Sequence, residues 1–110
     1  MSWIDIGALE EIPAQGARVV KTALGCVAVF RTADDAVFAL DNRCPHKGGP
    51  LSEGIVHDHK VTCPLHGQVF SLETGAAQGA DKGAVATFPA RIEGGRVLLE
   101  ASRLAGRPAA

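Results

Sequence analysis

Cys44 to His66 reads "CPHKGGPLSEGIVHDHKVTCPLH". The stretch holds two of the chain's three cysteines and all four of its histidines, so their placement carries information. It opens Cys-Pro-His and closes Cys-Pro-Leu-His, with sixteen residues between His46 and Cys63. Each end therefore offers one thiol and one imidazole. Between the ends, "EGIVHDHKVTC" reads as strand, turn, strand, with His57, Asp58 and His59 at the tip. "GQVFSLETG" reads as a further strand ending in a Thr-Gly turn. A small hairpin framework of this kind brings Cys44 and His46 near Cys63 and His66.

Outward from that segment, short apolar runs alternate with turn signals, which predicts an all-β chain. "WIDIG" (Trp3 to Gly7), "RVVKT" (Arg18 to Thr22) and "CVAVFR" (Cys26 to Arg31) read as strands. Ala33-Asp34-Asp35 turns the chain into "VFALDN" (Val37 to Asn42), which makes a hairpin with the preceding run. "TFPARIE" and "RVLLE" flank Gly94-Gly95, a pair suited to a two-residue turn. On the first of these, Phe88, Ala90 and Ile92 are expected on one face, with Pro89 at an edge or bulge. A helical turn is expected around Ala8 to Glu11. Residues 102–110 read as a frayed tail. With no repeat and no linker, 1–110 reads as one domain, within which about 42–77, carrying the Cys and His pairs, forms a sub-unit.

Composition narrows the function. The formal net charge of −1 comes without a Lys/Arg run, which argues against nucleic acid or an anionic membrane as partner. The longest apolar stretch, Ala23 to Phe30, falls well short of the roughly 18 residues of a membrane span. The acidic N-terminus lacks a signal pattern, so a cytoplasmic location is expected. Three cysteines cannot all pair, and ligation is the better use for the two beside histidines.

Thiolate and neutral imidazole both suit zinc and iron. A zinc finger separates its cysteine pair from its histidine pair, whereas here each arm is mixed. A [2Fe–2S] centre with thiolates on one iron and imidazoles on the other needs one of each from both loops, if each loop reaches across both irons. Cys44, His46, Cys63 and His66 fit that centre as metal ligands. Lys47, Gly48, Gly49, Gly67 and Gln68 would line it, because glycine-bearing loops let backbone N–H groups approach sulfur closely. Pro45 and Pro64 stiffen the loops. The formal charges of two ferric ions, two sulfides and two thiolates cancel. The oxidised centre is then neutral, and an added electron is opposed less than in a four-cysteine cluster.

These motifs resemble the Rieske family, matching its ligand pattern at Cys44, His46, Cys63 and His66, over about residues 18 to 100. The resemblance implies an antiparallel β-sandwich base carrying a small cluster-binding β subdomain. High-potential members have a further cysteine in each loop, forming a disulfide; this chain has Gly49 and Leu65 there. Where those members place Ser and Tyr against the cluster sulfurs, it has Gln68 and Phe70. The potential is therefore expected at the low end, roughly −150 mV rather than roughly +300 mV. "RCPHKGGPLSEGIV", "VTCPLHGQVFSLETG" and "GADKGAV" look like the small subunit of assimilatory NAD(P)H-dependent nitrite reductase. That family's large subunit carries FAD, an iron–sulfur cluster and sirohaem and reduces nitrite to ammonia. The alternatives are a stand-alone ferredoxin serving a ring-hydroxylating dioxygenase and, from another class, a zinc-stapled interaction module.

Other residues take blander readings. Cys26, among Val27, Ala28 and Val29, is expected in the core. His57 and His59 are expected to be solvated turn residues, and Trp3 a core or lid aromatic. Lys47, Asp81 and Lys82 are candidates for a partner-facing rim. The outer edges of His46 and His66 are the expected electron port. No catalytic set appears, so the chain is expected to transfer electrons without a substrate site of its own and without binding NAD(P)H or flavin directly.

Overall fold

The computed structural model of the chain describes residues 3–22, 25–42, 50–64, 67–78 and 83–100. Its strands are β1 (Trp3–Ala8), β2 (Gly16–Thr22), β3 (Gly25–Arg31), β4 (Val37–Asp41), β5 (Ile55–His57), β6 (Lys60–Thr62), β7 (Val69–Ser71), β8 (Thr87–Phe88), β9 (Ala90–Glu93) and β10 (Arg96–Glu100). Short 3₁₀ turns at Leu9–Glu11 and Leu51–Glu53 are the helical elements among the described residues. The all-β expectation holds.

Three antiparallel sheets form, ordered β1-β10-β9, β2-β3-β4-β8 and β5-β6-β7. The four-stranded sheet is the middle layer. Val27, Val29, Val37 and Ala39 meet Ile12, Phe88, Val97 and Leu99 in one core. Ala28, Phe30 and Leu40 meet Leu51, Val56, Val61, Phe70 and Leu72 in a second core, under the small sheet. This explains why β3 reads as a continuous apolar run rather than an alternating one. Both of its faces are covered, and Val27 to Phe30 are each no more than 2% exposed. Each fully buried large side chain contributes about 1.5–3 kcal/mol relative to exposure, which makes Phe30 and Phe70 principal anchors of the second core.

Several expectations are corrected in detail. Cys26 is exposed, not buried. It stands opposite Lys21 in β2, at the start of β3, and belongs to neither core, so no layer packs over it. The run around Pro89 is two strands in two sheets: β8 pairs with β4, and β9 pairs with β10. Pro89 is the crossing point, donating no ladder bond while its carbonyl accepts from Glu100 N–H at 3.0 Å. Phe88 and Ala90 pack in one core, whereas Ile92 stays 36% exposed. Trp3 is half-buried on β1, with the Arg91 guanidinium 4.3 Å from its ring centroid. Gly94 and Gly95 make the expected two-residue turn, both at positive φ.

The β5–β6 turn is also two residues, Asp58 and His59, with Asp58 at φ 51°. Its histidines are not merely solvated. His57 Nε2 lies 2.7 Å from Thr62 Oγ1. His59 Nδ1 lies 2.8 Å from Glu73 Oε2, and its Nε2 is 3.1 Å from Asp34 Oδ2.

Candidate metal centre

Of the four candidate ligands, Cys63 is described; Cys44, His46 and His66 lie outside the described residues, as do Lys47, Gly48, Gly49, Asp81, Lys82 and the 102–110 tail. Among the described residues no three His, Cys, Asp or Glu side chains gather as a metal site. The site is therefore read from Cys63 and from how the backbone delivers both loops.

Cys63 follows β6 directly. Its N–H donates to Gln68 O at 2.7 Å, and Gly67 N–H donates to Cys63 O at 3.1 Å. These bonds extend the Thr62↔Val69 ladder pair and close a short loop over 63–68, the segment that includes His66. Cys63 is 1% exposed and Gln68 4%, whereas Pro64 and Gly67 face solvent. Gly67 takes φ +68° with nothing within 4 Å of a Cβ placed there, so the space around it is open. The thiol thus belongs to the second core while its loop reaches the surface. That setting suits a redox centre held just beneath the outer boundary.

Asn42 and Ser52 flank the segment 43–49, which lies outside the described residues. Asn42 N–H donates to Cys26 O at 2.9 Å, and Asn42 Oδ1 accepts Ser52 N–H at 2.7 Å. This clasp brings the chain before the segment against the chain after it. Leu51, fully buried, packs in the same core as Cys63. The chain then runs through Gly54 into β5, whose first residue Ile55 pairs with Thr62, next to Cys63. Both candidate loops therefore leave the same end of the small sheet, opposite its Asp58-His59 tip.

Sequence reasoning named Cys63, Gly67 and Gln68 here and missed three contributors. Asn42 and Ser52 form the clasp; an Asn directly after a strand was the available signal, since its side chain readily bonds nearby backbone. Ile55 is 69% exposed beside the loop end, while Val56 turns inward. The alternation of "GIVH" could have marked it, because successive strand residues face opposite ways.

One buried cysteine, the Asn42–Ser52 bond across the second candidate segment and exposed Pro64 and Gly67 fit a cluster shared by two loops. The chemistry of the donor set, two Cys and two His on mixed arms, fits it as well. The family model described as a Rieske-like [2Fe-2S] domain matches residues 2–100. The ferredoxin component of a naphthalene 1,2-dioxygenase system from Pseudomonas aeruginosa is 35% identical over 101 residues, covering 91% of this chain and 96% of that protein. The ferredoxin subunit of an anthranilate 1,2-dioxygenase from Burkholderia cepacia is 35% identical over 96 residues, covering 86% and 88%. A solved structure described as an NADH-dependent nitrite reductase small subunit from Mycobacterium tuberculosis superposes with a TM-score of 0.80 at 30% identity, covering 89% of this chain and 93% of that one.

Proposed function

We propose, from the premise that this chain belongs to the Rieske-like [2Fe-2S] domain family, that it passes single electrons as the small subunit of an NAD(P)H-dependent nitrite reductase. The chain is an electron carrier with a Rieske-type [2Fe–2S] cluster, and its partner is a redox protein. When bound, the cluster supplies a reversible one-electron couple.

Within that frame Cys44 and Cys63 are the thiolate ligands, and His46 and His66 the imidazole ligands. The observation that carries this is buried Cys63 directly after β6, its N–H bonded to Gln68 O, with the Asn42–Ser52 bond joining the chain on either side of 43–49. Lys47, Gly48, Gly49, Gly67 and Gln68 line the cluster. Residues 1–110 act as one domain, with 42–77 as its cluster-binding part, in the cytoplasm. No helix of the described residues is long and apolar enough to cross a membrane. Exposed Ile55 supplies an apolar contact at the rim through which the partner docks.

The nitrite reductase assignment is supported by the loop wording "KGGPLSEGIV" and "GADKGAV" and by the Mycobacterium tuberculosis structure. The dioxygenase ferredoxin reading has its own support in the two 35%-identical ferredoxins. Mixing the reduced chain with a purified sirohaem large subunit, or with a ring-hydroxylating oxygenase, separates the two. Electron transfer to the oxygenase alone would overturn the nitrite reductase assignment. Zinc without acid-labile sulfide in the purified chain would overturn the cluster assignment and favour the zinc-stapled module.

A further inference from the structure

At the far tip of the small sheet from the candidate ligands, three elements meet on one imidazole. His59 sits in the β5–β6 turn. Asp34 comes from the β3–β4 turn of the middle sheet, and Glu73 from the turn that follows β7. Both ring nitrogens face carboxylates: Nδ1 to Glu73 Oε2 at 2.8 Å, and Nε2 to Asp34 Oδ2 at 3.1 Å and Oδ1 at 3.2 Å. The Phe38 ring of β4 lies against the imidazole, 5.1 Å between centroids at a 55° tilt. Thr32 Oγ1 donates to Asp34 Oδ1 and so fixes that carboxylate in place. The carbonyl of His59 accepts Leu72 N–H at 2.8 Å, which joins the same turn to β7's exit. Asp58 and Lys60 on its own hairpin line, with Asp34, Gln15 and Ala33, the cavity beside the imidazole.

We propose that His59 is a proton-operated latch between the small sheet and the middle sheet. With a proton on each nitrogen the ring donates to both carboxylates and ties the two layers together. After one proton passes to water, the ring has a single N–H to donate and a lone pair facing a carboxylate. The shorter contact, to Glu73, lies within the small sheet, so the cross-layer contact to Asp34 is the one that opens. The latch stands on described residues only and does not depend on which side chains bind the cluster or which partner is reduced.

The direction with pH follows. Glu73 first, and then Asp34, raise the pKa of His59 above its ordinary 6.5. The Thr32 hydroxyl first, and then His59, lower that of Asp34. A group whose pKa is raised on folding stabilises fully below its unfolded value and loses that contribution as pH rises through its folded value. The latch is therefore closed at pH 6.5 and somewhat above, and opens at higher pH. It also opens in strong acid, once Asp34 is protonated. Each unit of pKa displacement corresponds to about a tenfold bias toward the closed form.

The test is an NMR titration of the imidazoles in the full holoprotein, paired with amide exchange at Lys60–Thr62 corrected for intrinsic pH effects. His59 is expected to titrate above 6.5, and Asp34→Asn and Glu73→Gln each to lower its midpoint. Exchange protection in β6 should fall as pH passes that midpoint in the wild type and stay level in His59→Gln. Asp34→Asn, at an exposed turn, gives an independent reading if His59→Gln folds poorly. Titration at or below the ordinary value, or a protection step that survives in both variants, would overturn the latch. Each variant should keep the cluster's visible absorption, so failure of the latch and failure of the electron-carrier reading are told apart.

Discussion

Gly54→Ala isolates a steric constraint beside the candidate site. Gly54 has φ −78° and ψ 178°, a conformation alanine adopts without strain, so backbone preference does not oppose the change. The obstacle is space. A Cβ at this position would stand 2.2 Å from Thr62 O and 3.1 Å from both Leu51 O and Val61 Cγ2. Two of the three are backbone carbonyls, which cannot rotate away. Relief to a tolerable contact of 3.0 Å requires the backbones to part by at least roughly 0.8 Å, against a strand spacing of about 4.8 Å. That movement strains the Ile55↔Thr62 pair and carries Thr62, and with it Cys63, away from Leu51 and β5. Overpacking costs about 1–3 kcal/mol, of which about 0.4–1 kcal/mol is returned by the less flexible unfolded chain. The central values leave a net loss of about 1.3 kcal/mol, a fall in Tm of roughly 5–10 °C for a domain of this size.

The assay is thermal unfolding of the holoprotein at one fixed scan rate, with iron and acid-labile sulfide counted per chain. Gly95→Ala, in the β9–β10 turn of the outer sheet, serves as the control. Its φ of +78° costs a side chain about 1–2 kcal/mol, yet nothing lies within 4 Å of a Cβ there, so no strand need move. Gly54→Ala should lose cluster more readily than Gly95→Ala at matched loss of stability. Wild-type Tm and full cluster content in Gly54→Ala would refute the account of how β5 and β6 set the position of Cys63.

Cys63→Ser should abolish the visible spectrum and the reduced-state EPR signal, whereas Cys26→Ala should leave both intact, and exposed Cys26 should react first with a thiol reagent in the holoprotein. Phe70→Ala, which empties a fully buried site between the small and middle sheets, should cost about 3–5 kcal/mol in denaturant unfolding. A redox titration should place the midpoint near roughly −150 mV, and a clearly positive value would contradict the reading of Gln68 and Phe70 as leaving the sulfurs with few hydrogen-bond donors.

Local pattern carried much of this fold into view. β-branched runs and turn residues marked β1 through β4 and the β9–β10 hairpin, because those signals act over a few residues. What escaped depends on which layer lies opposite. Cys26 and Val27 are neighbours in one apolar run, yet only Val27 has a layer packed over it. Pro89 announced an interruption, but not that the chain changes sheets there. At the site, ligand spacing pointed to the chemistry, since a two-iron centre constrains which residue types each arm brings. The Asn42–Ser52 clasp and the His59 contacts stayed hidden because they join residues whose proximity only the tertiary fold creates. Asp34 and His59, for instance, are brought together by two separate turns on two different layers.

Trp3 and Glu100 are register partners on adjacent strands. Such partners lie about 5 Å apart. The fold is thus entered and left through a single doorway, on the outer sheet and away from the small one. A host protein could accept these strands as a cassette in a surface loop, at little cost in loop closure. The relay could then be wired inside one polypeptide rather than reached by diffusion. Electron delivery would pass from a bimolecular encounter to an effective concentration set by two linkers.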